Sequence, residues 1–196
     1  MSPEGQTQWR LFFAVELPRA LKARVGEHIK HLRESFPRVR ASWEKPEKIH
    51  ITLKFIGEVE VSRVEELSRA AERAASTVKQ FELTINTPGS FPPHGTPRVL
   101  WLGVEDPSGQ FSKLQHALED EAARAGFPRE QRPFKPHLTL ARIRVPQGAR
   151  ELAAAHRETP FEPQSFNVSE LVLMRSELGP GGSRYTPLSQ CPLRKE

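Results

Sequence analysis

Two ten-residue segments constrain what this chain can fold into more than any other feature. They are IHITLKFIGE, Ile49 to Glu58, and KPHLTLARIR, Lys135 to Arg144. Each contains His, an apolar residue, Thr and Leu in that order, at His50 to Leu53 and at His137 to Leu140. The branched, alternating composition predicts β-strands. Side chains two apart on a strand point the same way, so His50 shares a face with Thr52, and His137 with Thr139. Ile51, Leu53, Leu138 and Leu140 then face the opposite side, toward covering helices.

The surroundings of the two segments also repeat. WRLFFAVELP predicts a strand ended by Pro18, and Leu21, Val25, Ile29, Leu32 and Phe36 keep helical spacing after it. Past the first motif, Ser62 reads as an N-cap with Glu65 three residues on, opening a helix through Val64, Leu67, Ala71, Ala74 and Val78. FELTIN closes the first half as a strand. TPGSFPPHGTP, Thr87 to Pro97, is rich in Pro and Gly and predicts an irregular connection between two lobes. The order then restarts with the strand RVLWLGVE, a helix on Phe111, Leu114, Leu118 and Ala122, and the second motif strand HLTLARIRV. A short helix around Ala149 to His156 and one long strand, FNVSELVLMRSEL, complete it. Pro18 precedes His50 by 32 positions and Pro107 precedes His137 by 30, so spacing, order and tetrapeptide agree, as an internal duplication would have it. The expectation is one domain over 1–196 made of two lobes interleaved at their ends. The repeats run from about 9 to 87 and from about 98 to 188, after a flexible tail over 1–8.

At 196 residues, 37% hydrophobic and 27% charged, the chain can bury a sizeable core. No apolar run reaches the roughly 18 residues of a membrane span and the opening MSPEGQTQ lacks a signal-peptide core, so the expected location is cytoplasmic. A single cysteine, Cys191, excludes an intramolecular disulfide and reads as a buried or C-terminal thiol. The net charge of +5 favours an anionic partner such as nucleic acid.

If the two copies pack about a pseudo-twofold axis, two imidazoles and two hydroxyls converge across a cleft. Histidine titrates near pH 6.5, so one can serve as general base while its mate serves as general acid. Threonine hydroxyls can hold the oxygens of an anion between them. That combination suits phosphodiester hydrolysis without a metal. A metal site lacks nearby Cys and carboxylate ligands, and neither G-x-S-x-G nor G-x-x-x-x-G-K occurs.

The paired His-x-Thr-x motifs, 87 residues apart in the contexts ITLKFIGE and KPHLTLAR, resemble the two-histidine phosphoesterase superfamily. Within it the chain resembles the RNA 2',3'-cyclic phosphodiesterases of the LigT or ThpR type, first described as 2'-5' RNA ligases. The likeness runs from RLFFAVELP through PRVLWLGV to LVLMRSEL and YTPL. It implies an α+β fold, bilobal and pseudo-twofold, with two antiparallel sheets forming a central cleft and helices outside. It also implies no cofactor, and hydrolysis of a 2',3'-cyclic phosphate to a 2'-phosphate. By position in the resemblance, His50 is the proton donor and His137 the proton acceptor, while Thr52, Thr139 and Arg142 bind substrate. The symmetry of the motifs does not itself say which histidine is which. Strand parity sets Arg142 on the face opposite His137 unless a bulge intervenes, whereas Lys54 has the right parity in the first copy. The implied partner is RNA with 2',3'-cyclic phosphate or 2'-phosphate ends, acted on by a monomer with no membrane or protein partner. Two other readings are an RNA-end binding protein with little chemistry, and a sibling phosphodiesterase acting on 2'-5' oligonucleotides or small cyclic nucleotides.

Of the remaining candidates, one of Phe12 and Phe13 must face the cleft, although a core role is expected for both, as for Trp43, Trp101 and Phe134. GPGGSRY, Gly179 to Tyr185, reads as a hairpin connection. His28 and His31 lie three apart on a helix and could form half a metal site. With His94, His116 and His156 they are expected on the surface. RPFKP, Arg132 to Pro136, sets two cations beside the second motif.

Overall fold

The computed structural model describes residues 7–180 and 182–195. In chain order the elements are β1 (Gln8–Glu16), α1 (Arg19–Ser35), β2 (Ala41–Trp43), a 3-10 turn (Pro46–Lys48), β3 (His50–Glu60) and a second 3-10 turn (Val61–Arg63). Then come α2 (Val64–Ala75), β4 (Phe81–Phe91), β5 (Val99–Glu105), α3 (Gln110–Arg124), β6 (His137–Ile143) and α4 (Ala149–Glu158). The chain closes with β7 (Gln164–Val168), β8 (Glu170–Gly179) and β9 (Gly182–Pro192). The strands form two antiparallel sheets in the orders β3-β1-β8-β9 and β2-β6-β5-β4-β7.

These orders carry the pseudo-twofold. In the first sheet the motif strand β3 lies beside β1, and β8, from the second half of the chain, pairs on the far side. In the second sheet β6 lies beside β5, and β4, from the first half, pairs on the far side. Each half thus lends two strands to the other sheet, β2 and β4 from the first half and β8 and β9 from the second.

The periodicity of the helices explains the core. Leu21, Val25, Ile29 and Leu32 of α1, Leu67, Ala71 and Ala74 of α2, and Phe111, Leu114, Leu118 and Ala122 of α3 are buried in one cluster with Phe13, Ile51, Leu53, Leu138 and Leu140. Each fully buried Leu, Ile or Phe contributes about 1.5–3 kcal/mol relative to exposure. On the other face of the first sheet lies a second, smaller cluster of Phe12, Ala14, Val172 and Met174, with Tyr185 packed on it.

Several elements differ from expectation. FNVSELVLMRSEL is two strands: β7 pairs with β4 and β8 pairs with β1, so the chain changes sheets at Ser169, whose carbonyl accepts the Leu193 N–H at 2.8 Å. TPGSFPPHGTP does not connect lobes; Thr87 to Phe91 continue β4, and residues 92–97 turn into the neighbouring β5. Pro88 is tolerated at a register step. Gly89 is required because the Trp101 indole lies over it, 2.2 Å from where a Cβ would stand. Ser62 lies inside a 3-10 turn and does not cap α2. Of the expected tail, residues 1–6 lie outside the described residues, while Thr7 accepts the Val61 N–H and Gln8 begins β1. Cys191 is buried as expected, and no helix of the described residues is long and apolar enough to cross a membrane.

Candidate active site

Both motif strands carry a bulge at the same place, three residues after the histidine. Across β1 and β3, Ala14 faces Thr52 and Phe13 faces Lys54, leaving Leu53 between them unpaired. Across β5 and β6, Trp101 faces Thr139 and Leu100 faces Ala141, leaving Leu140. An extra residue reverses the alternation beyond it. Leu140 and Ala141 therefore both turn into the core, and Arg142 emerges exposed on the face of His137 and Thr139. In the first copy Leu53 and Lys54 turn inward and Phe55 emerges, 60% exposed, where Arg142 stands in the second. The parity objection to Arg142 is thereby removed, and the suggestion that Lys54 faces the cleft is overturned. Lys54 is buried, its ammonium 2.7 Å from Glu119 and 2.8 Å from the Pro128 carbonyl.

The histidines are braced identically. His50 Nδ1 lies 2.8 Å from the Lys48 carbonyl and His137 Nδ1 lies 2.7 Å from the Lys135 carbonyl, in each case two residues back. A carbonyl only accepts, so Nδ1 carries the hydrogen and Nε2 is left to exchange protons. Burial holds both imidazoles below the ordinary histidine value, opposed in each by that carbonyl bond. Charge then breaks the symmetry. Arg142 lowers His137 further, whereas His50 feels Lys22 pulling down and the Glu16 carboxylate pulling up.

The two motif strands run against each other across the sheets, with Cα atoms within 8 Å. Tyr185 of β9 stands edge-on to the His50 ring at 5.0 Å, and Phe12 packs on the same ring at 4.8 Å. Burial raises the Tyr185 phenol, and Arg142 and Arg10 both act on it. The charge of Arg142, on the second sheet, thus acts on both His137 and the Tyr185 that packs against His50. Its field also reaches Glu44, whose carboxyl burial raises. The Glu44 N–H binds the carbonyl of the bulged Leu140 at 2.8 Å. A cavity of about 220 Å³ opens beside His50, lined by Glu16, Lys48, Met174, Arg184 and Tyr185 among others.

Phe13 is in the core as expected, but Phe12 faces the site. Trp101 is half-buried with its ring 6.4 Å from His137, and Phe91 stands edge-on to His137 at 5.1 Å. Trp43 and Phe134 pack on the core. GPGGSRY is the β8–β9 hairpin connection apart from residue 181, which lies outside the described residues; its far end delivers Arg184 and Tyr185 to the cavity. Arg132 of RPFKP is paired with Glu130, and the segment serves the site through the Lys135 carbonyl.

His28 and His156 are not surface residues. His28 Nε2 lies 3.1 Å from His156 Nδ1, and His156 Nε2 lies 3.0 Å from the Trp101 carbonyl. The carbonyl requires a hydrogen on His156 Nε2, so His28 donates to His156 and both rings are neutral. Burial, with His156 and His31 nearby, lowers His28 to about 4. Between its unfolded value of 6.5 and that value the unfolded chain binds the extra proton, so stability is complete above pH 6.5 and falls as the solution is acidified toward pH 4. The loss from His28 alone is up to about 3 kcal/mol. Urea denaturation at pH 7 and pH 4.5 checks this, and His28→Gln, which keeps the donor, is expected to flatten the dependence.

A doubled strand motif set on two antiparallel sheets, with each imidazole pinned to a carbonyl two residues back, is the arrangement expected of a two-histidine phosphoesterase. The profile of the 2'-5' RNA ligase superfamily matches residues 17–180, and the chain belongs to that superfamily. It is 35% identical over 182 residues to an RNA 2',3'-cyclic phosphodiesterase of Methanothermobacter thermautotrophicus, covering 91% of this chain and 96% of the relative. It is 34% identical over 191 residues to the Escherichia coli RNA 2',3'-cyclic phosphodiesterase, covering 94% and 96%. Among solved structures, a Thermus thermophilus protein aligns with a TM-score of 0.76 at 29% identity, over 95% of this chain and 99% of that one. E. coli LigT complexed with 3'-AMP aligns with a TM-score of 0.73 at 32% identity, over 95% and 98%.

Proposed function

We propose that this chain hydrolyses RNA 2',3'-cyclic phosphate ends to 2'-phosphates with a histidine acid and a histidine base. The observation that carries the reading is the identical bracing of His50 and His137, each of which shares its strand face with a threonine, Thr52 and Thr139, and in the second copy with Arg142. The names of the relatives support the substrate. In the reaction His137 Nε2 takes a proton from water as its oxygen bonds to phosphorus. The bond from phosphorus to the 3' oxygen breaks, and that oxygen takes the proton of His50 Nε2. The 2' ester remains. The Arg142 guanidinium and the threonine hydroxyls hold the non-bridging oxygens as charge builds on them.

The surrounding charges support this polarity. At His50 the Lys22 and Glu16 charges oppose each other, whereas at His137 the Arg142 charge acts unopposed against the protonated form, as suits a base. Beyond the phosphate, the exposed Phe55, backed by the buried Phe12 with ring centroids 6.1 Å apart, offers a face on which the terminal base can stack. Both halves of the site come from one chain, so a monomer suffices, and a cytoplasmic setting agrees with the lone thiol. With a 5'-hydroxyl attacking phosphorus in place of water, and the 3' oxygen again leaving with a proton, the same site would form a 2'-5' linkage.

The test is turnover of an oligonucleotide ending in a 2',3'-cyclic phosphate in excess EDTA. The expected product is the 2'-phosphate, with the 3'-hydroxyl free. Tight binding without product would mean an RNA-end binding protein instead.

A further inference from the structure

We propose that Arg10 binds the phosphate on the 5' side of the terminal nucleotide, so that the site selects the end of an RNA strand over a free nucleoside 2',3'-cyclic phosphate. This rests on the cyclic phosphodiesterase reading and specifies its substrate.

The first sheet presents its cleft face in rows that the strand registers set. Glu16 stands beside His50. The next row is Thr52, Ala14 and Val172, and after it come Phe55, Phe12, Met174 and Pro187. The row beyond is Glu58, Arg10, Ser176 and Tyr185. Along β1 the face therefore passes from the groups that hold a phosphate, to an apolar floor with one exposed aromatic ring, to a cation. A nucleotide bound with its phosphate at Thr52 and its base on the exposed Phe55 ring meets these groups in that order, and its 5' phosphate falls toward Arg10. Ala14 and Arg10 are four residues apart, about 13 Å along a strand, within the combined reach of one nucleotide and an arginine side chain.

Two further observations bear on Arg10. Its charge acts on the Tyr185 phenol together with that of Arg142, so it belongs to the same electrostatic surroundings as the site. Glu58 stands opposite it on β3, yet Arg10 is exposed and forms no ion pair with Glu58 or any other described carboxylate. A guanidinium free to bind in two-pronged fashion is what a phosphodiester takes.

The experiment measures kcat and KM of the wild type, Arg10→Gln and Arg10→Lys across a salt series. The two substrates are an oligonucleotide with a 2',3'-cyclic phosphate end and adenosine 2',3'-cyclic phosphate. Arg10→Gln is expected to raise KM for the oligonucleotide about 10-fold at low salt. It should flatten the slope of log(kcat/KM) against log salt by about 0.7, the loss of one single-strand phosphate contact. kcat and the mononucleotide reaction should stay within about 2-fold, and Arg10→Lys should retain most of the salt slope. Equal losses on both substrates, or an unchanged slope with the oligonucleotide, would overturn the assignment. A wild type inactive on both substrates would sink the phosphodiesterase reading itself, whereas an active wild type matched by Arg10→Gln removes Arg10 alone.

Discussion

Replacing His50 or His137 by alanine is expected to lower kcat for a cyclic-phosphate RNA end by about 10²- to 10⁴-fold each, with the double variant losing far less than the product. The two variants should differ in how they fail. A base must be neutral and an acid protonated, so the wild-type rate climbs as His137 loses its proton and declines as His50 loses its own. Burial lowers both groups, and Arg142 lowers His137 again. The acid limb of kcat/KM therefore lies below pH 6.5, and the maximum of the free enzyme is displaced to the acid side of neutrality. Bound phosphate places an anion against His50 and raises it, so the alkaline limb of kcat should lie at higher pH than that of kcat/KM. His137→Ala removes the acid limb and His50→Ala the alkaline one. A phosphodiester with an activated phenolate leaving group needs no acid, and should restore His50→Ala far more than His137→Ala. Restoration of the opposite variant would reverse the polarity. Arg142→Ala, besides weakening phosphate binding, should move the acid limb to higher pH because His137 loses a neighbouring positive charge.

The residues proposed for this chemistry were visible in the linear chain because the signal was doubled. One His-x-Thr in a strand is ambiguous, but two in matched frames are hard to explain by packing, and the structure sets both in the same bracing. Periods of 3.6 and 2 likewise located the four helices and the core faces of β1, β3 and β6. What stayed hidden depends on register and pairing, which no local pattern carries. The bulges at Leu53 and Leu140 invert the parity of the residues that follow, until a second step at Ile56 restores it in β3, and so they decide that Arg142 faces the site and Lys54 does not. Ser169 is invisible as a junction because strand-forming residues of β7 and β8 stand directly on either side of it with no Gly or Pro between them, yet it moves the chain between sheets. Phe12 and Trp101 look like core residues by composition; only the sheet orders set them against the histidines. His28 and His156, 128 positions apart, meet through the packing of two helices from different halves. One available hint was their helical spacing within apolar stripes, His28 with Val25 and Ile29, and His156 with Leu152 and Ala153.

Removing the Lys54 ammonium should be among the most destabilising single changes to this chain, even though it touches no reacting atom. Lys54 and Glu119 are 2% and 8% exposed in their side chains, and β3 and α3 come from different halves. Glu119 also accepts the Glu130 N–H at 3.1 Å and the Gln115 amide at 3.4 Å. Its carboxylate thus anchors the start of the segment that leads through Lys135 to His137, while Lys54 anchors the strand of His50 just past its bulge. Lys54→Met keeps the apolar stem and deletes the charge, leaving a buried carboxylate with neutral donors only. That situation typically costs about 3–5 kcal/mol. Glu119→Leu strands the ammonium in turn, with a similar loss. The double variant Lys54→Met with Glu119→Leu should recover most of the stability, because the expense lies in the unpaired charge rather than in the absence of the pair. Urea denaturation reads this as a fall in midpoint at constant m for each single variant and its return in the double. Single variants within about 1 kcal/mol of the parent would mean that water reaches the pair and screens it. The double variant also separates stability from geometry. If the ion pair sets the spacing of the two histidines, a refolded double variant of near-parental stability should still show reduced kcat with a narrowed pH profile. If the pair only stabilises, kcat should return with the midpoint.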